Sequence, residues 1–162
     1  MAKYSEQMQR IFDRYTAAVD SSPVSLDHVA AWAIQNGLWK PAPRDVVKLC
    51  MEDLAESLRQ EKRTDAKGRR YRAKHSVRIN ENGLQLTLWA DIDSAPRSFM
   101  EESFAQRRTG IVNNCFQIKQ DIDHFHDEHS GGQPIQMILD FTDDVAELEA
   151  ATRMSKSDDE AA

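Results

Sequence analysis

The sequence predicts an α+β fold, mostly α: a winged helix-turn-helix of three helices and a β-hairpin wing, followed by a long C-terminal helix and an acidic tail. Three observations carry that expectation. Apolar residues recur at three- and four-residue steps in three successive segments, the mark of one buried helical face. Asn82-Gly83 then stands between two alternating runs, the strongest short-range hairpin signal. Beyond Pro96 a narrow seven-residue rhythm begins, as in coiled-coil seams.

In the first helix, Tyr4, Met8, Ile11, Phe12, Tyr15 and Val19 share a face, and Asp20-Ser21-Ser22-Pro23 reads as the turn that ends it. Ser25 is the expected N-cap of the second helix, with Asp27 at the positive end of its dipole. Val29, Ala30, Ala33 and Ile34 form the buried stripe, and Gly37 is placed to close the helix in a left-handed conformation. Leu38 and Trp39 are expected to fold back onto the core. Pro43 suits the opening of a third helix, whose apolar side is Val46, Val47, Leu49, Cys50, Leu54 and Leu58. A turn at residues 64–68 leads to strands expected over 69–79 and 84–92. After Ser94-Ala95-Pro96, a helix to about Glu128 carries Phe104, Ile111, Cys115, Ile118, Ile122 and Phe125 in heptad phase, interrupted by Arg108. That seam predicts self-association or docking, in cis or in trans. The resulting plan is a winged-helix domain over 1–93, a long amphipathic helix over 94–129, and a Gly-Gly hinge, short apolar segment and acidic tail over 130–162. The tail, with eight acidic and two basic residues from Asp140 onward, is expected to be disordered from about Ala151.

Composition bounds the function classes. The 162 residues suit one domain with attachments. At 40% hydrophobic a core can form, while 30% charged residues and a net charge of -6 imply a large wetted surface. No run approaches the roughly 18 apolar residues of a membrane span, and the polar start at Met1-Ala2-Lys3 lacks the apolar stretch of a signal peptide. Cys50 and Cys115 lie among helix-patterned apolar residues and are expected to be reduced, buried thiols of a cytoplasmic protein. A secreted disulfide scaffold, a membrane protein and a wholly disordered chain are thereby excluded.

The segment Val24-Ser25-Leu26-Asp27-His28-Val29-Ala30, with Ile34-Gln35-Asn36-Gly37-Leu38-Trp39 and Pro43-Arg44-Asp45-Val46-Val47 after it, resembles the HARE-HTH winged-helix family over about residues 8–90. Members occur in chromatin-associated proteins, restriction endonucleases and the delta subunit of bacterial RNA polymerase. The resemblance implies a compact module linked to DNA or polymerase, without catalysis of its own. The third helix departs from the family pattern: it starts Arg44-Asp45 rather than with hydroxyls, and reads Leu49-Cys50-Met51 where an aromatic is usual. The long helix over 94–128 lies outside the family domain.

Charge segregation is the most informative chemical signal. Between Arg59 and Arg78, nine cationic side chains face only Glu61 and Asp65, in a chain that is acidic overall. Duplex DNA attracts such a patch by releasing condensed counterions. On a continuous strand Arg70, Arg72, Lys74 and Arg78 project from one face, with Tyr71, Ala73, His75 and Val77 on the other. The expected DNA-binding set is Lys67, Arg69, Arg70, Arg72, Lys74 and Arg78 of the wing, with Arg44 and Lys48 of the third helix. That helix also offers Asp45, Glu52, Asp53 and Glu56, so phosphate contact through the wing is expected to dominate over base reading.

Gln136-Met137-Ile138-Leu139-Asp140-Phe141 resembles the short peptides with which bacterial replication proteins engage the sliding clamp. Gln136, Met137, Leu139 and Phe141 are the partner-binding candidates. The alternative is an extended segment whose alternating Ile135, Met137, Leu139 and Phe141 pack on the protein itself. The His- and Asp-rich run at 121–129 lacks a His-x-x-x-His pair and is read as a solvated helix end rather than a metal site. There is no Gly-rich phosphate loop, no Gly-x-Ser-x-Gly elbow and no metalloprotease helix motif. The expectation is a non-enzymatic, cofactor-free DNA-binding regulator or accessory subunit. A winged-fold adaptor that binds protein rather than DNA, tied to a polymerase or sliding clamp, is the alternative.

Overall fold

A computed structural model describes residues 4–19, 23–42, 45–129 and 131–160. The fold is α+β and mostly helical, with helices α1 (Tyr4–Ala18), α2 (Leu26–Gln35), α3 (Asp45–Gln60), α4 (Arg97–Glu128) and α5 (Thr142–Glu160). Four short strands lie between α3 and α4: β1 (Lys62–Thr64), β2 (Arg70–Arg72), β3 (Lys74–Glu81) and β4 (Leu84–Asp91). The chain divides into two compact units, residues 1–61 and 62–162.

In the first unit, Ile11 and Tyr15 of α1 meet Val29 and Ala33 of α2, with Val24, Trp32, Leu38 and Trp39 around them. Tyr15 and Trp32 pack edge to face at 5.6 Å. The hydroxyl of Ser25 bonds the carboxylate of Asp27 rather than capping a backbone N–H. At the other end of α2, Leu38 N–H donates to the Ala33 carbonyl and Gly37 N–H to that of Ile34, with Gly37 at φ +66°. This is the Schellman closure expected of glycine at that position. It turns Trp39 back, and its indole N–H donates to the Tyr4 hydroxyl at 2.9 Å. The α2 stripe is narrower than expected, because Ala30 and Ile34 are exposed. The turn at 20–22 and the helix-opening Pro43 lie outside the described residues.

α3 buries no residue: Val46, Val47, Leu49, Met51 and Leu54 are all exposed. Cys50 is exposed too and Cys115 only half-buried, which corrects the expectation of two buried thiols. Both sit on apolar helix faces, but on α3 only Ala55 and Leu58 of that face are half-buried.

The second unit is built on α4. β3 and β4 pair antiparallel from Lys74↔Asp91 to Glu81↔Leu84, and Asn82 and Gly83 both have positive φ, as a type I′ turn demands. Ala73, His75 and Val77 alternate inward and are buried. Opposite them α4 contributes Met100 and Ser103, also buried, and Phe104, whose ring meets His75 edge to face at 5.4 Å. The Ser103 hydroxyl donates to the Ser76 carbonyl at 2.9 Å. Gln106 holds the free edge of β3, accepting from Arg78 N–H at 2.9 Å and donating to its carbonyl at 3.0 Å.

Residues 69–79 do not form the single strand expected. The chain bends at Ala73, so β2 turns away to pair with β1 while β3 pairs with β4. The fixed point is Asp91, which binds Arg63 of β1 and Lys74 of β3 together.

The acidic tail also departs from expectation, since the chain is helical from Thr142 to Glu160 rather than disordered from Ala151. Locally the reasons are plain. Asp143 and Asp144 occupy the first turn, where the helix dipole favours anions. Thr142 N–H and hydroxyl both bond the Asp140 carboxylate, and Ala, Glu, Leu and Met that follow are strong helix formers.

Candidate functional site

The cationic cluster separates into two sets. β1 and β2 are in register as Lys62↔Arg72, Arg63↔Tyr71 and Thr64↔Arg70. Directly opposed residues share a face, so Lys62, Thr64, Arg70 and Arg72 lie on one side and Arg63 with Tyr71 on the other.

The Arg63 side is neutralised. Its guanidinium makes a two-pronged contact with Asp91, at 3.0 and 2.7 Å, and a further bond to Asp93 at 2.9 Å. Lys74 Nζ reaches the same Asp91 carboxylate at 2.8 Å, and the Tyr71 hydroxyl donates to Asp93 at 3.2 Å. Hydrogen bonds from Arg63, then from Lys74, hold the Asp91 carboxyl far below the usual carboxylate range. Burial and the neighbouring Asp93 push the Tyr71 phenol up. At the β1–β2 turn, Asp65 accepts from the Lys67 and Arg69 backbone N–H groups and from Arg69 Nε, and these bonds lower its pKa.

The opposite face is bare. Among the described residues no carboxylate lies within ion-pair distance of Lys62, Lys67, Arg70, Arg72 or Arg78, nor of Arg107 and Arg108 on α4. Of the expected DNA-binding side chains, the structure leaves Lys67, Arg70, Arg72 and Arg78 free and binds Arg69 and Lys74 to carboxylates. The even spacing of Arg70, Arg72, Lys74 and Arg78 does not give one face, because the bend at Ala73 resets the alternation. On α3, Lys48 pairs with Glu52 at 3.8 Å, and Arg44 lies outside the described residues. Sequence reasoning missed Arg107. Its signal was helical spacing: three and seven residues beyond Phe104 and Met100, it falls on the side of α4 that meets the hairpin.

α5 lies against the turn end of this surface. Val145, Leu148, Glu149, Thr152 and Arg153 line a groove of about 540 Å³ together with Lys67, Arg69 and Arg70.

The segment 133–141 is extended. Ile135, Met137 and Leu139 line a groove with Ile118, Ile122 and His126 of α4, and Ile135 N–H donates to His126 Nε2 at 2.9 Å. Ile138, between them, is 81% exposed. The alternating residues therefore lie along the C-terminal end of α4 without burying it, since Ile135, Met137, Leu139 and Ile118 are exposed, as are Ile111 and Phe116. Gln136 and Phe141 are exposed as well. Among the described residues no group of three or more His, Cys, Asp or Glu side chains comes together to hold a metal ion. No described helix is long and apolar enough to cross a membrane.

No protein-family model matches this chain, and comparison with curated proteins and with solved structures yields no match to either.

Proposed function

We propose that this chain is a non-enzymatic DNA-binding protein, a regulator or accessory subunit of a nucleic-acid machine, that lays its bare hairpin face along the phosphate backbone. One observation carries the reading: among the described residues Lys62, Arg70 and Arg72 share a face without a carboxylate in ion-pair distance, while Asp65, Asp91 and Asp93 are committed to Arg63, Lys74 and Arg69. Unpaired cations held in register on a strand pair, in a chain of net charge -6, are what phosphate recognition needs. In chain order, three helices followed by hairpins are the elements that a winged helix-turn-helix requires. Such a surface positions a protein on DNA; it does not read bases.

The test is a salt titration of binding to an arbitrary duplex, followed by fluorescence anisotropy from low ionic strength. The logarithm of affinity should fall with the logarithm of salt with a slope of about -3 to -5, at roughly 0.9 per phosphate neutralised. Absence of binding at low salt would reject the reading.

A second reading, docking of a protein partner, is favoured by α3. A 16-residue helix with five exposed large apolar side chains and no buried residue is a surface that suits a partner. A pull of that kind leaves anisotropy with DNA flat and is seen instead as a complex with protein.

A further inference from the structure

Lys62 and Arg72 stand directly opposite one another on β1 and β2, and Arg70 follows on the same face. Like charges in directly opposed positions repel, and strand pairs seldom carry them without compensation. α4 adds Arg107 from the neighbouring element, so that Lys62, Arg72 and Arg107 all act on the buried ring of His75. None of the three has a carboxylate partner among the described residues.

Two atoms in the same place are also without partners. Arg72 Nε and His75 Nδ1 are buried side-chain atoms with no hydrogen bond. Orphaned buried polar atoms are rare in folded proteins, and Arg72 Nε, a donor, calls for a missing acceptor. His75 is only 4% exposed, and its Nε2 lies 3.0 Å from the Arg72 carbonyl. A carbonyl only accepts, so Nε2 carries the proton and Nδ1 is left bare. Lys62 and Arg107 are themselves exposed, so the cluster opens to solvent.

We propose that Lys62, Arg72 and Arg107 form a binding site for one phosphate-type oxyanion, with His75 as its floor. The anion separates the opposed cations, and Arg72 turns its buried Nε outward to donate to it. It also reverses the field at His75. In the free protein burial, and then the surrounding cations, hold that imidazole below its ordinary value of 6.5 and neutral. With an anion bound, protonation of Nδ1 adds a donor towards it, so the ring titrates at higher pH. The site rests on the DNA-binding reading for one of its two sources of phosphate, the backbone of a duplex. A free phosphate group has the same chemistry and is the other.

The experiment is a titration of the full chain with inorganic phosphate at low ionic strength, followed by NMR of the His75 ring and the Arg72 Nε–H. Saturable movement of both signals is expected, with the midpoint raised about tenfold or more in K62Q and R107Q and the His75 titration moving upward in phosphate. Both altered residues are exposed, and unchanged thermal midpoints would show that the fold is kept. Displacement of phosphate by a short duplex identifies the backbone as the source. Saturable binding that a duplex does not displace upholds the site for a free phosphate and removes DNA from this face. Movement that fails to saturate, or is the same in K62Q and R107Q, overturns the site. Duplex binding by anisotropy, measured in parallel, stands or falls separately.

Discussion

On one side of the β1–β2 hairpin, Arg63 is clasped by Asp91 and Asp93 and shares Asp91 with Lys74; on the other, Lys62, Arg70 and Arg72 have no acid in ion-pair distance among the described residues. The residue types are the same and the sequence interleaves them. The difference comes from the β4–α4 corner, where Asp91 and Asp93 lie, supplying acids to one side only. Cations on the first side are structural, joining two strand pairs through a shared carboxylate. Cations on the second are, on the reading proposed above, the ones that meet phosphate. A count of positive charge cannot make that distinction, and register can.

The largest effect should come from reversing the bare face. K62E, R70E and R72E together are expected to weaken duplex binding on the order of 100-fold at low salt and to flatten the salt slope by about 2 to 3. Circular dichroism should show an unchanged fold. If affinity survives, the comparison between the faces has no bearing on DNA.

Changing the clasped side should do the reverse. D91N is expected to lower the thermal midpoint of unfolding by several degrees while duplex affinity moves less than about threefold, since no free cation is lost. Acid should act in the same direction. An Asp91 carboxyl held low in the fold adds stability above its ordinary 3.8, and that contribution is lost as pH falls below it. His75 acts earlier, because the unfolded chain takes up the proton first and stability drops from about 6.5 downward. Thermal midpoints measured from pH 8 to 3 should therefore fall in two stages. D91N should lack the second.

The smallest effect concerns α5. Glu149 lines the groove beside Lys67, Arg69 and Arg70, so removing residues 142–162 should tighten duplex binding by about threefold at low salt and by nothing measurable at high salt. No change at either salt would take α5 out of the electrostatics of the bare face.

The legible parts of the fold were those with local causes. The Asn82-Gly83 turn, the Gly37 closure and the inward alternation of Ala73, His75 and Val77 follow from backbone sterics and pattern, and each is present. The bend at Ala73 was not legible, because it depends on Asp91 and Arg63 meeting across 28 residues of chain. The same distance hid the division of the site. Arg70 and Lys74 look equivalent in sequence, and only pairing with Asp91 separates them. The exposed apolar face of α3 was unforeseen for a related reason: periodicity shows that a face is apolar, not that anything covers it.

Gln106 has a consequence beyond holding α4 to the sheet. β3 is bonded to β4 along one edge, and its other edge would present Arg78 N–H and carbonyl as an open template for a further strand. The Gln106 amide occupies both groups, acting as a single residue's worth of neighbouring strand. Unpaired edges are where folded chains add to one another and begin to aggregate. One side chain thus interrupts the open edge of a hairpin whose own sequence, Val77 and Ile79 opposite Leu86 and Leu88, is well suited to stacking.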